Sequence, residues 1–546
     1  MKKRLTSLAL ATVLCLSMLS GCGSSASTKS PTPASGGSTA PSAGSAAEPV
    51  KPISEYPIAS EPITLTYWIT LPAPVSKVIS NLSENKAFQQ MEKDTGVKIE
   101  FIHPAVGQEK EQFNLLMASG KLPDIIGAPN LYKGGEFQGM ADGMFLDLTD
   151  MIPTYAPDYY AYIQKDETFF REISNDAGRI PAVYSYKVEG DSPFRRVILR
   201  QDVLDEIGVD VPLYLEDYEA MFDKMLAKGI TPYSPTKKGY EEMFANLFDV
   251  HINDGQKFYK DLDDKVHFAP LEPGFKEYLT LMNKWYSKGY ISKDFTSVEN
   301  AQVQTMFDTK KIGMFMDASV GNFNRAARQG FTVTTAPAPR LQAGQKLHYE
   351  SVGATPKMPQ NETMAAISKD CKNPEAALRW LNYFYTEAGA ELMNWGVEGL
   401  NWSKVDGKNT YNDLMLNNPS FGTEEASYYY KMHFAPKLNY PDVQVHANLL
   451  KSPESLEIRL RYGDDPDMDS AYILPNVQYS EEELNKRTKI FSPVDTYVDE
   501  MTLKFIVGAE PLENYDKFIE TMKGMGIEEA VAITQAAYDR YIQKTR

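Results

Sequence analysis

Cysteine is scarce. Three in 546 residues (Cys15, Cys22 and Cys371) do not make a disulfide framework, so cross-links do not explain the fold. Histidine is scarce too: His103, His251, His267, His348, His433 and His446 are the full set. No two of them lie three to five residues apart, as a helical or loop zinc site would place them. The chain has no G-x-S-x-G, no H-E-x-x-H, no phosphate-binding P-loop and no dinucleotide glycine fingerprint, so none of those chemistries has a foothold. Basic residues are outnumbered, 56 against 73 acidic, and the net charge of −17 repels nucleic acid and anionic lipid. Past the N-terminus no window approaches eighteen consecutive apolar residues, the minimum for a spanning helix.

The N-terminus is the first positive feature. Met1-Lys2-Lys3-Arg4 is followed by an apolar run from Leu8 to Leu19 and then by Ser20-Gly21-Cys22. A cationic start, an apolar core too short to span a bilayer stably and small residues before a cysteine are the physical parts of an export signal over 1–21. Leu19 to Cys22 resembles the bacterial lipobox, which implies cleavage before Cys22 and a diacylglycerol on its sulfur. More than one acyl chain on that residue would give stable attachment, on the extracellular face of the cytoplasmic membrane. Losing Lys2, Lys3 and Arg4, the only charges in 1–21, takes the formal charge from −17 to −20. From Gly23 to Pro49 the chain is nearly all Ser, Gly, Ala, Pro and Thr, which cannot bury enough apolar area to offset ordering entropy. Residues 22–60 therefore read as a lipidated cysteine and a flexible tether, stiffened near its end by Pro49, Pro52 and Pro57.

The folded part opens with β-α-β-α-β grammar. Ile63–Trp68 is an apolar, β-prone strand; a helix follows with Phe88 and Met91 on one face; Val97–Phe101 alternates; a helix around Phe113, Leu116 and Met117 closes at Gly120; and Pro123–Ile126 is a third strand. This order calls for a parallel sheet covered by helices. The grammar resumes with a strand at Arg196–Arg200 and a largely helical 201–229. A hairpin over 258–268 turns at Asp261 to Asp264, a helix over 272–288 ends at Gly289, and Lys311–Met316 is a short buried strand. At the C-terminus Ile527, Val531, Thr534, Tyr538 and Tyr541 share a helix face.

Candidate site residues come from aromatics and strand ends. The chain holds 32 Tyr, 25 Phe and 5 Trp. Sugar rings stack their C–H faces on such rings, while their hydroxyls need Asn, Asp, Arg or backbone partners. Trp285 and Trp380 fall on apolar helix faces and read as core. Trp395 and Trp402 bracket the turn Gly396-Val397-Glu398-Gly399; Trp68 at a strand end and Trp402 at this turn are pocket candidates, because open α/β sheets bind ligands at strand ends and glycine loops. Tyr184 and Arg200 are added as strand-edge groups able to stack or hydrogen-bond. The run Asp464-Asp465-Pro466-Asp467-Met468-Asp469 imitates a calcium loop, but Ser470 stands where Gly is needed and Asn476 where a bidentate Glu is needed, so it reads as solvated loop. The N-x-S/T triplets at Asn81, Asn361 and Asn401 read as accidents of composition. A glycosidase needs only two acids brought together by folding, so an enzyme stays open at this stage.

The chain resembles the family 1 extracellular solute-binding proteins of ABC importers, in particular the long lipoprotein-type members that bind oligosaccharides such as alginate. The likeness runs from about residue 62 to the C-terminus. It is carried by Gln112–Ile126, by Leu146–Asp150 leading to Tyr155-Ala156-Pro157, and by Ile198–Leu204, then by Asn283–Tyr286 with Gly289 and by Asn394–Gly399. It implies a two-lobed α/β fold of the periplasmic-binding-protein type (class II) with ligand in a cleft between the lobes. The first lobe would take 61–190 plus 345–400, the second 195–340 plus 401–546. Matching positions imply Asn130, Asp317 and the stretch from Trp395 to Trp402 as ligand-binding. Longer members carry a calcium loop where this chain has only Ala227–Pro232, so no metal and no cofactor is expected. The implied protein is a monomeric, non-enzymatic receptor whose partners are an oligosaccharide, a membrane permease and its own lipid anchor. A secreted carbohydrate-active enzyme, or the same fold holding a peptide, are the alternatives.

Overall fold

The computed structural model describes residues 55–188, 195–235, 237–252, 256–348, 364–432, 435–440, 445, 447–449 and 467–546. The signal over 1–21, Cys22, most of the tether, Asn361 and Asp464 to Pro466 lie outside them. Among the described residues no helix is long and apolar enough to cross a membrane.

The first sheet forms as the alternation predicts. β1 (Ile63–Trp68) pairs in parallel with β2 (Val97–Ile102), and also with β3 (Ile125–Gly127). The helix Lys86–Thr95 between β1 and β2 buries Phe88 and Met91, and the helix Glu109–Ser119 buries Phe113. Each ends on a glycine in the left-handed region, Gly96 and Gly120, a conformation that costs a side-chain-bearing residue free energy. The strand Met364–Ile367 runs antiparallel to β3 and to β4 (Val183–Tyr184), giving the order β2, β1, β3, 364–367, β4. One apolar cluster holds this sheet and its helices, with Trp380 stacked near Phe88 and edge-on to Tyr67.

A second sheet orders the strands 333–335, 195–200, 312–318 and 231–233, with 312–318 antiparallel to 195–200 and parallel to 231–233. Its core centres on Trp285, met edge-on by Phe222 and Phe244. The expected hairpin is present as Phe258–Lys260 against Val266–Phe268, and the helix Pro273–Lys288 ends on Gly289. Three C-terminal helices (481–507, 515–524, 527–543) complete this lobe, and Lys257, fully buried, pairs with Asp495 and Asp499 of the first of them. Trp285 and Trp380 are thus both core.

The stretch after residue 400, expected on the second lobe, departs from that expectation up to Asn439. Leu438–Asn439 pairs with Tyr186–Lys187, and Met432, Ala435 and Leu438 join the first core. Asn85 accepts from Ala87 N and Phe88 N to cap its own helix, and its amide donates to the carbonyls of Tyr428 and Lys431. One buried asparagine so ties residues 428–431 to the first lobe.

The end of the last helix reaches across from the second core to the first. Tyr541, packed in the second core, donates its hydroxyl to Glu172 (2.8 Å) on the helix Glu167–Ile173 of the first. Around it Lys544 Nζ donates to Ser174 O (2.7 Å), Arg171 Nε to Lys544 O (3.0 Å) and Arg540 Nε to Asp176 (3.1 Å). Glu172 is 4% exposed, and burial pushes its carboxyl up to about 7 against the opposing pull of Tyr541, the Asn476 backbone and Lys544. A carboxyl whose folded pKa is raised contributes stability that is fully present below its unfolded pKa and is lost as pH rises through the folded value. We expect urea stability to fall by up to about 3 kcal/mol between pH 5 and 8 from this group. Glu172→Gln should flatten that slope, and an unchanged slope in the variant would place its origin elsewhere.

Candidate functional site

Because β1, β2 and β3 are parallel and in register, Trp68, Ile102 and Ile126 lie level, and the loops that follow them leave from one edge of the sheet. Carboxyl ends of parallel strands are where open α/β sheets take ligands. Gly127 is needed there for close approach: a Cβ would sit 3.1 Å from Trp68 O and 3.2 Å from the Ile69 side chain. Ala128 then takes φ of +53°, a strained value for a non-glycine residue. The turn Pro129–Leu131 carries Asn130, and Gly134 and Gly135 lead into the helix Gly135–Ala141, whose first turn presents Glu136.

Polar groups converge at this edge. Tyr184, at the end of β4, donates its hydroxyl to Glu136 Oε1 (3.0 Å). Burial raises the Glu136 carboxyl above its usual range, opposed by its own backbone and by the Tyr184 bond. Burial, reinforced by the Glu136 charge, also holds the Tyr184 hydroxyl well above its ordinary value, so it stays a donor. Asn130 Oδ1 is buried with no hydrogen-bond partner among the described residues. An orphaned buried acceptor costs about 1–3 kcal/mol, which a hydroxyl or amide donor from a ligand would recover. Two of the expected residues, Asn130 and Tyr184, therefore lie at this edge. Glu136 was missed by the sequence reading, and the signal for it was the Gly134-Gly135 pair that starts its helix beside a strand end.

On the second lobe Asp317 sits at the carboxyl end of the strand Ile312–Ala318 and accepts from Gln304 Nε2 and Asn322 Nδ2 (3.0 Å each). This amide-and-carboxylate group suits hydroxyl ligands.

The remaining expected residues are occupied by packing. Trp68 is 3% exposed and meets Phe113 edge-on at 5.4 Å, which docks a helix on the sheet. Arg200 makes four hydrogen bonds, two to Asp202 (2.7 Å each) and one each to Phe307 O and Asp308 O (3.0 Å), while its guanidinium lies 3.8 Å from the Phe331 ring. Trp395 and Trp402 are buried with Tyr411 in a side core of their own. The glycine turn between them folds on itself. Trp402 Nε1 donates to Gly396 O (2.8 Å), Asn401 Oδ1 accepts from Val397 N (2.8 Å), and its amide donates to Trp395 O (2.8 Å). Gly396 has φ of +92°, and a Cβ there would strike Asn401 at 2.5 Å. The turn is filled by side chains, so the glycines serve tight packing. Asn401, fully buried, offers nothing to a glycan. Among the described residues no cluster of His, Cys, Asp or Glu has metal-binding geometry.

Trp402→Phe, which removes the donor to Gly396 O, should lower unfolding free energy by about 1–3 kcal/mol in urea titrations. A neutral result would return Trp402 to the list of functional candidates.

The family model described as bacterial extracellular solute-binding protein matches residues 76–391. The chain is 21% identical over 346 residues to the polygalacturonan/rhamnogalacturonan-binding protein YtcQ of Bacillus subtilis, covering 60% of this chain and 65% of that protein. It is 22% identical over 500 residues to the fructooligosaccharide ABC transporter substrate-binding protein FusA of Streptococcus pneumoniae, covering 87% and 90%. Among solved structures, alginate-binding protein AlgQ2 aligns with a TM-score of 0.67 at 21% identity, over 88% of this chain and 99% of that one. An extracellular solute-binding protein from Bifidobacterium longum subsp. infantis aligns with a TM-score of 0.69 at 17% identity, over 88% and 98%. The architecture is thus the two-lobed α/β fold of those proteins.

Proposed function

The chain belongs to the bacterial extracellular solute-binding protein family, and on that premise we propose that it is an oligosaccharide receptor of an ABC importer. The observation that carries this reading is the polar set at the carboxyl edge of the first sheet. There a held hydroxyl donor (Tyr184) bonds a carboxyl (Glu136), and an unpartnered buried amide oxygen (Asn130) lies in the turn that leaves the same edge. Such a set matches the alternating donors and acceptors of a sugar ring. The likeness to FusA over most of both chains supports a saccharide rather than a peptide. Asp317 with Gln304 and Asn322 supplies matching groups from the second lobe.

The mechanism follows from the two cores. A sugar bound to polar groups of both lobes stabilises the closed arrangement, and a membrane permease that recognises that arrangement receives the sugar. The receptor works as a monomer without metal or cofactor, and it does not cleave what it binds. Cys22, acylated after removal of residues 1–21, holds it on the extracellular face of the cytoplasmic membrane through the 22–60 tether.

The test is thermal unfolding of the chain from residue 22 onward, with Cys22→Ser, against neutral and uronic-acid oligosaccharides. Ligand at about 100 times its dissociation constant adds about 2.7 kcal/mol. One sugar class should raise the unfolding temperature, chromatography should recover that sugar intact, and Tyr184→Phe and Asn130→Ala should each weaken binding by roughly 10-fold. Recovery of cleaved sugar would make the protein an enzyme; a shift with peptides alone would keep the fold and change the ligand. In cells, Cys22→Ala should move the protein from the membrane fraction to the medium, and retention on the membrane would remove the lipid anchor from this reading.

A further inference from the structure

Three of the six histidines meet two tyrosines on the second lobe, away from the groups described above. His348 stacks on Tyr472 with ring centroids 3.9 Å apart and planes 8° from parallel; Tyr472 lies parallel to Tyr259 at 5.8 Å, and Tyr259 to His267 at 5.1 Å. His251 meets Tyr472 edge-on at 4.5 Å. This column joins three pieces of chain: the strand Leu347–His348, the segment 467–472 and the 258–268 hairpin. Main-chain bonds follow the same path, from Leu347 N to Asp467 O (2.9 Å) and from Lys260 N to Tyr472 O (3.1 Å). His348 Nδ1 also lies 2.7 Å from Asp469 Oδ1.

His251 is fully buried, and its proton is placed by its neighbours. Asn246, 4% exposed, donates through Nδ2 to His348 O (2.6 Å) and through the same amide group to His251 Nδ1 (3.1 Å). Nδ1 is therefore an acceptor, and the ring proton sits on Nε2, aimed at Asp249 Oδ1 (3.1 Å). Asn246 Oδ1 is buried without a partner. A second proton on His251 would go to Nδ1 and confront the amide donor. The local relief is for the amide to turn round, so that its idle oxygen accepts from Nδ1. That turn withdraws Nδ2 from His348 O.

We propose that His251 and Asn246 form an acid-released clasp: the neutral imidazole keeps the strand 347–348, and with it the segment 467–472, on the second lobe, and its protonation lets them go. Burial holds His251 below the ordinary imidazole pKa, partly offset by Asp249 and by a bond to the His348 backbone, with the His348 ring adding to the depression. The facing groups are Asp249 from its own loop, His348 from the 347–348 strand, Tyr259 from the hairpin and Tyr472 from the following segment. A depressed folded pKa means that the contribution is fully present above the unfolded value, about 6.5, and is lost as pH falls through the folded one. His267 acts in the opposite sense: burial works against its charge, but bonds to Asp261 and Glu272 (2.9 Å each) outweigh it and raise its pKa, so the hairpin tightens on acidification.

Residue-resolved hydrogen exchange on the whole chain from residue 22, corrected for intrinsic rates, separates the two. Between pH 7.5 and 5 the Leu347 and Lys260 amides should lose at least 10-fold protection while those of the strand 312–318 hold theirs. His251→Gln should abolish the change. Asp249→Asn, which removes the carboxylate favouring the charged ring, should move its midpoint to lower pH and decides the matter by itself if His251→Gln fails to fold. Protection independent of pH in the natural chain overturns the clasp, as does an unmoved midpoint in Asp249→Asn or loss of the effect in His267→Gln alone.

Discussion

The level ending of β1, β2 and β3 is the constraint from which the candidate site follows. Parallel pairing sets Trp68 opposite both Ile102 and Ile126, so the three loops that leave these strands share one edge. Space at that edge is short. Gly127 is backed against the Trp68 carbonyl, Ala128 is driven into the left-handed region, and two further glycines swing the chain into the Glu136 helix. A one-residue slip of β3 would reverse its side chains and take Asn130 out of the edge. The polar set is thus a product of register as much as of residue type.

The two lobes differ in what holds them. Each has its own large apolar cluster, and the aromatic surplus is spent mostly inside these clusters. Between the lobes, the described contacts from the last helix are polar: Tyr541 to Glu172, Lys544 to Ser174, Arg540 to Asp176. Hydrogen bonds of that kind are worth about 0.5–3 kcal/mol each, the upper end for charged partners, less than a shared core. A joint built this way leaves closure within reach of a ligand's differential binding energy, which is what a population shift requires.

Much of the fold is legible in the sequence because local signals and tertiary demand agree there. Gly120 and Gly289 end helices for the same backbone reason that makes them visible in the chain, and Phe258 to Phe268 has the alternation and polar turn of a hairpin. The site is less legible. Trp68, Trp395, Trp402 and Arg200 carry the residue chemistry of a binding site, yet whether an indole or guanidinium faces solvent depends on partners such as Phe113 and Phe331, which spacing does not mark as neighbours, and on the bonds that the nearby Asn401 and Asp202 form. Glu136 escaped for the converse reason: the Gly134-Gly135 pair marks only the start of its helix, and the character of this one Glu among 73 acids comes from Tyr184, 48 residues away. The 428–440 part of the stretch after residue 400 followed family analogy to the wrong lobe because its attachment is wholly tertiary: the Asn85 and Asn394 bonds, a two-residue strand pairing and the burial of Met432, Ala435 and Leu438.

Two buried titratable groups bracket neutrality from opposite sides. Burial raises Glu172 toward about 7, so its site favours the protonated carboxyl although the bonds to Tyr541 and Lys544 pull the other way, whereas burial depresses His251 and favours the neutral ring. The first term declines as pH rises from the unfolded carboxyl value toward about 7 and the second as pH falls below the unfolded imidazole value, so the two have opposite slopes in pH. One group sits at the joint between lobes and the other within the second lobe. Rising pH therefore puts a charge into the buried contact between the lobes, and falling pH, on the proposed clasp, puts one into a buried contact within the second lobe. Under the proposed closing mechanism these are separable faults: the first acts where one lobe meets the other, and the second inside one of the bodies that would close.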